Sequence, residues 1–173
     1  MDTQTLTSIA MGIALSACCG FRIFIPMLGA SAAAYFHWFS LPADMSWMGS
    51  LPALICFGTA AVLEIAAYYI PFVDNLLDTI ATPLAAVAGT VLAASFLPIA
   101  DLNPMLKWLL AIIAGGGAAT TVQAGTGLLR LASTKTTAGM GNSIVATGEN
   151  ALAVSGTLLS FVVPVIIAFV FVL

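Results

Sequence analysis

The chain has 173 residues, of which 61% are hydrophobic and only 6% charged, with four Lys or Arg against seven Asp or Glu and a net charge of −3. A soluble domain carries about a quarter of its residues charged, so this composition excludes a water-facing exterior and makes the lipid bilayer the solvent for most of the surface. The few, scattered charges form no basic patch, which argues against nucleic acid as a partner.

At roughly 20 apolar residues per crossing, the length holds about five spans, and the expected fold is an all-α, polytopic transmembrane helical bundle forming a single domain. The N-terminal Met1-Asp2-Thr3-Gln4-Thr5 lacks the Lys or Arg of a signal peptide and leads into an apolar stretch that carries Arg22, so it reads as a retained first span. That span is expected over 7–36, kinked or broken near Gly20 to Pro26. His37 to Ser50, with Trp38, Pro42, Asp44 and Trp47, has the composition of an interfacial loop with aromatic anchors. Span two is expected over 51–70, ending before Pro71, with Tyr68, Tyr69 and Phe72 in an aromatic belt.

Asp74 opens span three, expected over 75–97, and Pro98, Asp101, Asn103 and Pro104 make the next turn. Span four is expected over 105–131 and holds the small-residue run Gly115 to Ala119, which predicts a packing seam for a homo-oligomer. The Ser-, Thr- and Gly-rich stretch from Ala132 to Asn150 reads as a loop, and span five as 150–172. Five spans place the termini on opposite sides. Arg130 and Lys135 against Lys107 then favour a cytoplasmic N-terminus. Cys18, Cys19 and Cys56 lie in apolar stretches and read as packing residues.

The stretches Ala17-Cys18-Cys19-Gly20-Phe21-Arg22 with Ile25-Pro26, Glu64 with Tyr68-Tyr69-Ile70-Pro71, and Asp74-Asn75-Leu76-Leu77-Asp78 resemble a family of small bacterial membrane proteins known as domain of unknown function 4126. The resemblance covers nearly the whole chain. It implies a bacterial inner-membrane location and brings no established activity and no assigned residues.

The ionisable groups inside apolar segments carry the functional argument, because a central Arg costs roughly 2.5–3.5 kcal/mol on insertion scales and must meet a partner or a cavity. Arg22 is such a residue, and its side chain leans toward the end that holds Glu64, its expected partner. Asp74 and Asp78 share a helix face one turn apart, and Gln123 is polar where polarity is costly. The candidate substrate or ion pathway is therefore Arg22, Glu64, Asp74, Asp78, Gln123 and Glu149, with Asn75, Arg130 and Asn150 as secondary members. Simpler readings stand beside it: helix capping for Asp74 and Glu149, snorkelling for Arg130, and a structural pair for Arg22 with Glu64.

No hydrolase or phosphate-loop motif is present and there is one His, so no catalytic residue is assigned. Asp74, Asp78 and Glu149 are oxygen donors of the kind that hold Mg²⁺ or Mn²⁺, but no metal or cofactor is specified by their spacing. The expected function is a transporter or channel for a small solute or ion. The alternative is a membrane binding or scaffold protein for a lipid, quinone or partner subunit.

Overall fold

A computed structural model describes residues 3–70, 73–97, 103–164 and 166, with the backbone but not the side chain of Asn75. Among these the chain is all helical: α1 (Thr3–Cys18), α2 (Phe24–Tyr35), a 3-10 helix (Ala43–Gly49), α3 (Leu51–Ala67), α4 (Val73–Phe96), α5 (Pro104–Ala111), a π-helical turn (Ile112–Gly116), α6 (Gly117–Thr137) and α7 (Asn142–Val162). The starts are chemically marked. Ser50 accepts a hydrogen bond from Ala53 N before α3, and Asn103 accepts one from Met105 N before α5, each followed by a proline in the first turn, where its missing N–H is no loss. Pro98, Asp101 and the end of the fifth expected span lie outside the described residues.

Among the described residues three helices are long and apolar enough to cross a membrane: Leu76–Phe96, Pro104–Thr137 and Asn142–Val162. A fourth is added if the 3-10 helix and α3, bent by 60°, form one span. The described residues thus form a helical bundle compatible with a multi-pass membrane protein, with three or four crossing-length helices where about five spans were expected.

The difference arises in the stretch 7–36. It is two helices running in opposite directions. A Cβ on Gly12 would sit 2.9 Å from Phe96, and the Ser16 hydroxyl donates to Gly89 O at 2.6 Å, so α1 runs antiparallel to α4. Through the pairs Gly89–Gly115, Arg130–Asp78 and Arg130–Glu149, α4, α6 and α7 alternate in direction. Arg22 meets Ala146, Glu149 and Asn150, whereas Gly29 meets Thr157 and Phe161, so α2 runs parallel to α7 and therefore back along α1. The turn Cys19–Ile23 is the tip of a hairpin inside the bundle. The beginnings of α1, α3 and α5 lie at one end, the aromatic end, where Phe39 packs on Phe96 at 4.7 Å between centroids. The beginnings of α4 and α7 lie at the other, charged end.

The expected loop over 132–150 is also corrected. Helix α6 continues to Thr137 and α7 begins at Asn142, so only four residues turn, with Ala138 and Gly139 at φ of 51° and 88°. Thr136 and Thr137 satisfy their hydroxyls on carbonyls of Ala132 and Ser133, the back-bonding that lets such residues remain helical in a low-dielectric setting.

Gly115 and Gly116 of the expected seam pack against α4. A Cβ on Gly115 would collide with Gly89 O, and one on Gly116 would lie 2.7 Å from the Thr90 hydroxyl, so this run lets α4 approach the π-helical turn at backbone contact. Gly117 alone of the three faces open space. Leu15, Cys19, Met27, Met48, Phe57 and Leu92 form the main core between the hairpin, α3 and α4.

Candidate functional site: a buried two-arginine cluster

The hairpin tip is possible because residue 20 is glycine. A Cβ there would stand 2.5 Å from the Val122 side chain and 2.6 Å from Ala119 O, so the tip presses directly on the α6 backbone. This close approach delivers Arg22, 1% exposed, into the interior.

All three guanidinium nitrogens of Arg22 are used. Nε donates to Asn150 Oδ1 at 2.6 Å, Nη1 to Glu149 Oε2 at 2.7 Å and Phe21 O at 2.8 Å, and Nη2 to Ala146 O at 3.2 Å. Glu149, 4% exposed, is shared: Arg130 donates to it through Nε, at 3.1 Å from Oε1, and through Nη2 to Oε2. Both guanidiniums also lie over the ring of Tyr68, at 3.9 and 4.3 Å from its centroid, where the negative face of the π-system adds attraction. Tyr68 is therefore a buried centre of the cluster and not part of an interfacial belt; Tyr69, by contrast, is half exposed and its hydroxyl meets Thr147 and Asn150.

Glu149 was expected near a helix start. It lies roughly 10 Å along α7, at about 1.5 Å per residue, so helix capping does not account for it. The expected Arg22–Glu64 ion pair is also replaced. Glu64 instead accepts from the backbone N–H of Ile23 at 2.8 Å and of Phe24 at 2.9 Å, capping α2 from another helix. No local residue can do so, since Ile23 at the N-cap has no polar side chain and Pro26 follows. A buried helix start with open N–H groups is costly, and a carboxylate at the positive end of the dipole relieves it. Arg22 turns to the acid on the neighbouring α7, which also offers Asn150 and a carbonyl.

Asp78 stands 3.7 Å from Arg130 Nε, an ion contact too long for a hydrogen bond. Its Oδ1 and Arg130 Nη1 are buried without hydrogen-bond partners. Asp74, in the first turn of α4, accepts from Asn142 Nδ2 at 3.3 Å, and Asn142 also donates to the Thr134 hydroxyl at 3.1 Å, tying α4 to the α6–α7 turn. The side chain of Asn75 lies outside the described residues. Gln123 is buried, and with Asp78, Thr79, Thr82, Arg130 and Thr134 it lines a cleft of about 510 Å³ between α4 and α6. A second cavity of about 290 Å³, lined by Glu64 and Tyr68 among apolar residues, separates α3 from α4.

Of the six primary candidates, the fold thus joins Arg22, Asp78 and Glu149 with Arg130 and Asn150 in one network, sets Gln123 beside it and places Glu64 one contact away. Asp74 belongs to a separate polar contact nearer the helix start. Tyr68, Asn142 and Thr134 were not singled out for the site by the sequence. The spacing of Tyr68 four residues after Glu64, one turn along the same face, was the available sign for the first. Among the described residues no three His, Cys, Asp or Glu are grouped to hold a metal ion.

Formally the inner network is balanced, with Arg22 and Arg130 against Glu149 and Asp78. It can hold polar matter inside an apolar bundle at no net charge. No curated protein and no solved structure matches the chain. The model of the family described as domain of unknown function (DUF4126) matches residues 9–173, and the chain belongs to that family.

Proposed function

We propose that this protein is a transporter or channel-like membrane protein in which a small polar solute or ion enters through the cleft between α4 and α6 and passes the Arg22–Glu149–Arg130 network at the hairpin tip. One observation carries the reading: two arginines and two acids are gathered in the interior of an apolar bundle beside a cleft of about 510 Å³ into which Asp78, Thr82, Gln123 and Arg130 bring polar groups among apolar neighbours. Ionisable groups at membrane depth are expensive and are the usual lining of solute and proton routes. A hairpin that enters and leaves at one end, with the N-terminus of α2 pointing into the interior, is also the type of broken helix that lines such routes. On this reading α3, α4, α5 with α6, and α7 cross the membrane while α1 and α2 do not cross separately, so the start of α1 and Asp44 share a side.

The aromatic end supports a closed state. Phe39, Phe96 and Phe161 cluster there and Met48 is fully buried, so passage requires the hairpin to shift against α7. Proteoliposomes holding the purified protein should swell in iso-osmotic solutions of at least one small polar solute or salt, and Asp78→Asn should abolish the effect. Swelling no faster than that of empty liposomes across amino acids, polyols and alkali salts would overturn the proposal. The scaffold reading is favoured by the near-complete pairing of Arg22 and Glu149, and it predicts that outcome.

A further inference from the structure

The cleft has a chemical signature that narrows its ligand. Its polar wall comes from two helices: Asp78, Thr79 and Thr82 on α4, and Gln123, Arg130 and Thr134 on α6. Thr82 is exposed, Asp78 half buried and Gln123 and Arg130 buried, so polarity runs from the surface of the bundle inward. Arg130 is 3% exposed, yet its Nη1 has no acceptor, and the Oδ1 of Asp78 has no donor within hydrogen-bond reach. An open donor and an open acceptor thus lie on either side of an ion contact of 3.7 Å. A buried polar group left open costs about 1–3 kcal/mol, more when charged, so a ligand that supplies an anion to one and a donor to the other gains both.

Net charge decides between ligand classes. The four groups in ion contact, Arg22, Arg130, Glu149 and Asp78, are formally neutral, with the charge of Glu64 held at the start of α2, and an ion brought among them alone would add an uncompensated charge at low dielectric. A simple cation or anion is disfavoured on that ground. A molecule carrying both signs a few bonds apart keeps the balance.

We infer that the α4–α6 cleft binds a small zwitterion whose primary ammonium group faces Asp78 and whose carboxylate or phosphate faces Arg130. This rests on the cleft of the proposed pathway but not on transport itself. Two sources supply such a group, a free amino-acid-like solute from water or the ethanolamine phosphate headgroup of a lipid, since the cleft also opens on the outer face of α4 and α6. A quaternary ammonium, which has no N–H to donate, should bind poorly.

The test measures binding by the whole chain in detergent, by thermal shift and by native mass spectrometry, with L-alanine, glycerophosphoethanolamine, glycerophosphocholine, sodium acetate and ethylammonium as free probes, the two phosphodiesters being net neutral. Phosphatidylethanolamine and phosphatidylcholine are the lipid probes. Protection by L-alanine or glycerophosphoethanolamine, with glycerophosphocholine at least tenfold weaker, supports a free solute as the source. Retention of phosphatidylethanolamine over phosphatidylcholine, unaffected by the free zwitterions, supports the headgroup. In either case Asp78→Asn should remove the preference. Thr82→Trp fills the mouth from an exposed position without removing any member of the ion network, and should abolish binding in a chain that still folds. Equal behaviour of the ammonium and quaternary probes, or binding by acetate or ethylammonium alone as tight as by the zwitterions, would overturn the inference. Zwitterion binding without solute swelling of proteoliposomes would leave it standing and sink transport; swelling by other solutes without such binding would do the reverse.

Discussion

Replacing Arg22 and Glu149, singly and together, probes the contact on which the interior is built. The side chains are 1% and 5% exposed and meet at 2.7 Å, so each desolvated charge depends on the other for compensation. Removing one partner of a buried pair typically costs roughly 3–5 kcal/mol. Arg22→Met leaves Glu149 still held by Arg130, which puts it near the lower figure, about 3 kcal/mol. Glu149→Gln leaves two guanidiniums on one tyrosine ring with the longer contact of Arg130 to Asp78 as their remaining ion pair, which puts it near the upper figure, about 5 kcal/mol. The double variant removes the pair at once, so it should cost less than the sum, with a coupling above roughly 1 kcal/mol. Reversible unfolding in mixed micelles on added SDS reads these values. The parallel cycle of Arg22→Met with Glu64→Gln should show a weaker coupling than that of Arg22 with Glu149, because Glu64 spends both oxygens on backbone N–H groups and makes no ion pair with Arg22. Strong coupling of Arg22 to Glu64 and none to Glu149 would refute the placement of the hairpin tip.

Glu64→Ala should destabilise the protein by about 1–3 kcal/mol for each N–H it leaves open at the start of α2, and Glu64→Gln, which keeps one acceptor, should cost less; equal melting temperatures would count against capping. Gly115→Ala should cost about 1–3 kcal/mol through overpacking against Gly89, whereas Gly117→Ala should be neutral or stabilising by up to about 1 kcal/mol, read as melting temperatures in one detergent. In a cysteine-free background, Thr3→Cys and Ser46→Cys should react with an impermeant maleimide from the same side of the membrane and Met140→Cys from the other. Finding Thr3 grouped with Met140 would restore a first helix that crosses.

Sequence reading found the helical class and the break near Gly20 but not the direction taken after it. Gly20, Arg22 and Pro26 mark an interruption, and an apolar segment has the same hydropathy whether it continues or returns. Two cues were there. At about 1.5 Å per residue, the 30-residue stretch 7–36 is longer than a bilayer of about 30 Å requires, and α2 with 12 residues is shorter than a span of about 20. What turns the chain back is tertiary: the cap on α2 comes from Glu64, 41 positions away, and the anchor of Arg22 from Glu149, 127 positions away. The polar stretch 132–150 misled for another reason. Ser and Thr mark loops in water, yet in α6 and α7 their hydroxyls return to helix carbonyls, as Thr137 does to Ser133 and Thr147 to Ser143. That Arg22, Glu64, Gln123, Arg130 and Glu149 are all buried follows directly from their cost in lipid, which is why the sequence found the members of the site before it could pair them.

Whether water reaches the α4–α6 cleft decides between a pathway and a dry structural network. Thr82 and Val87 are both exposed on α4, one in the cleft and one among apolar neighbours, so cysteines at the two positions differ in solvent and not in steric access. A membrane-impermeant, charged methanethiosulfonate reacts only with thiolates in water. In intact proteoliposomes Thr82→Cys should be modified, Val87→Cys should not, and Asp78→Asn should slow the modification of Thr82→Cys. Equal silence at both positions would mean that the cleft is filled by lipid and that the buried charges serve the fold alone.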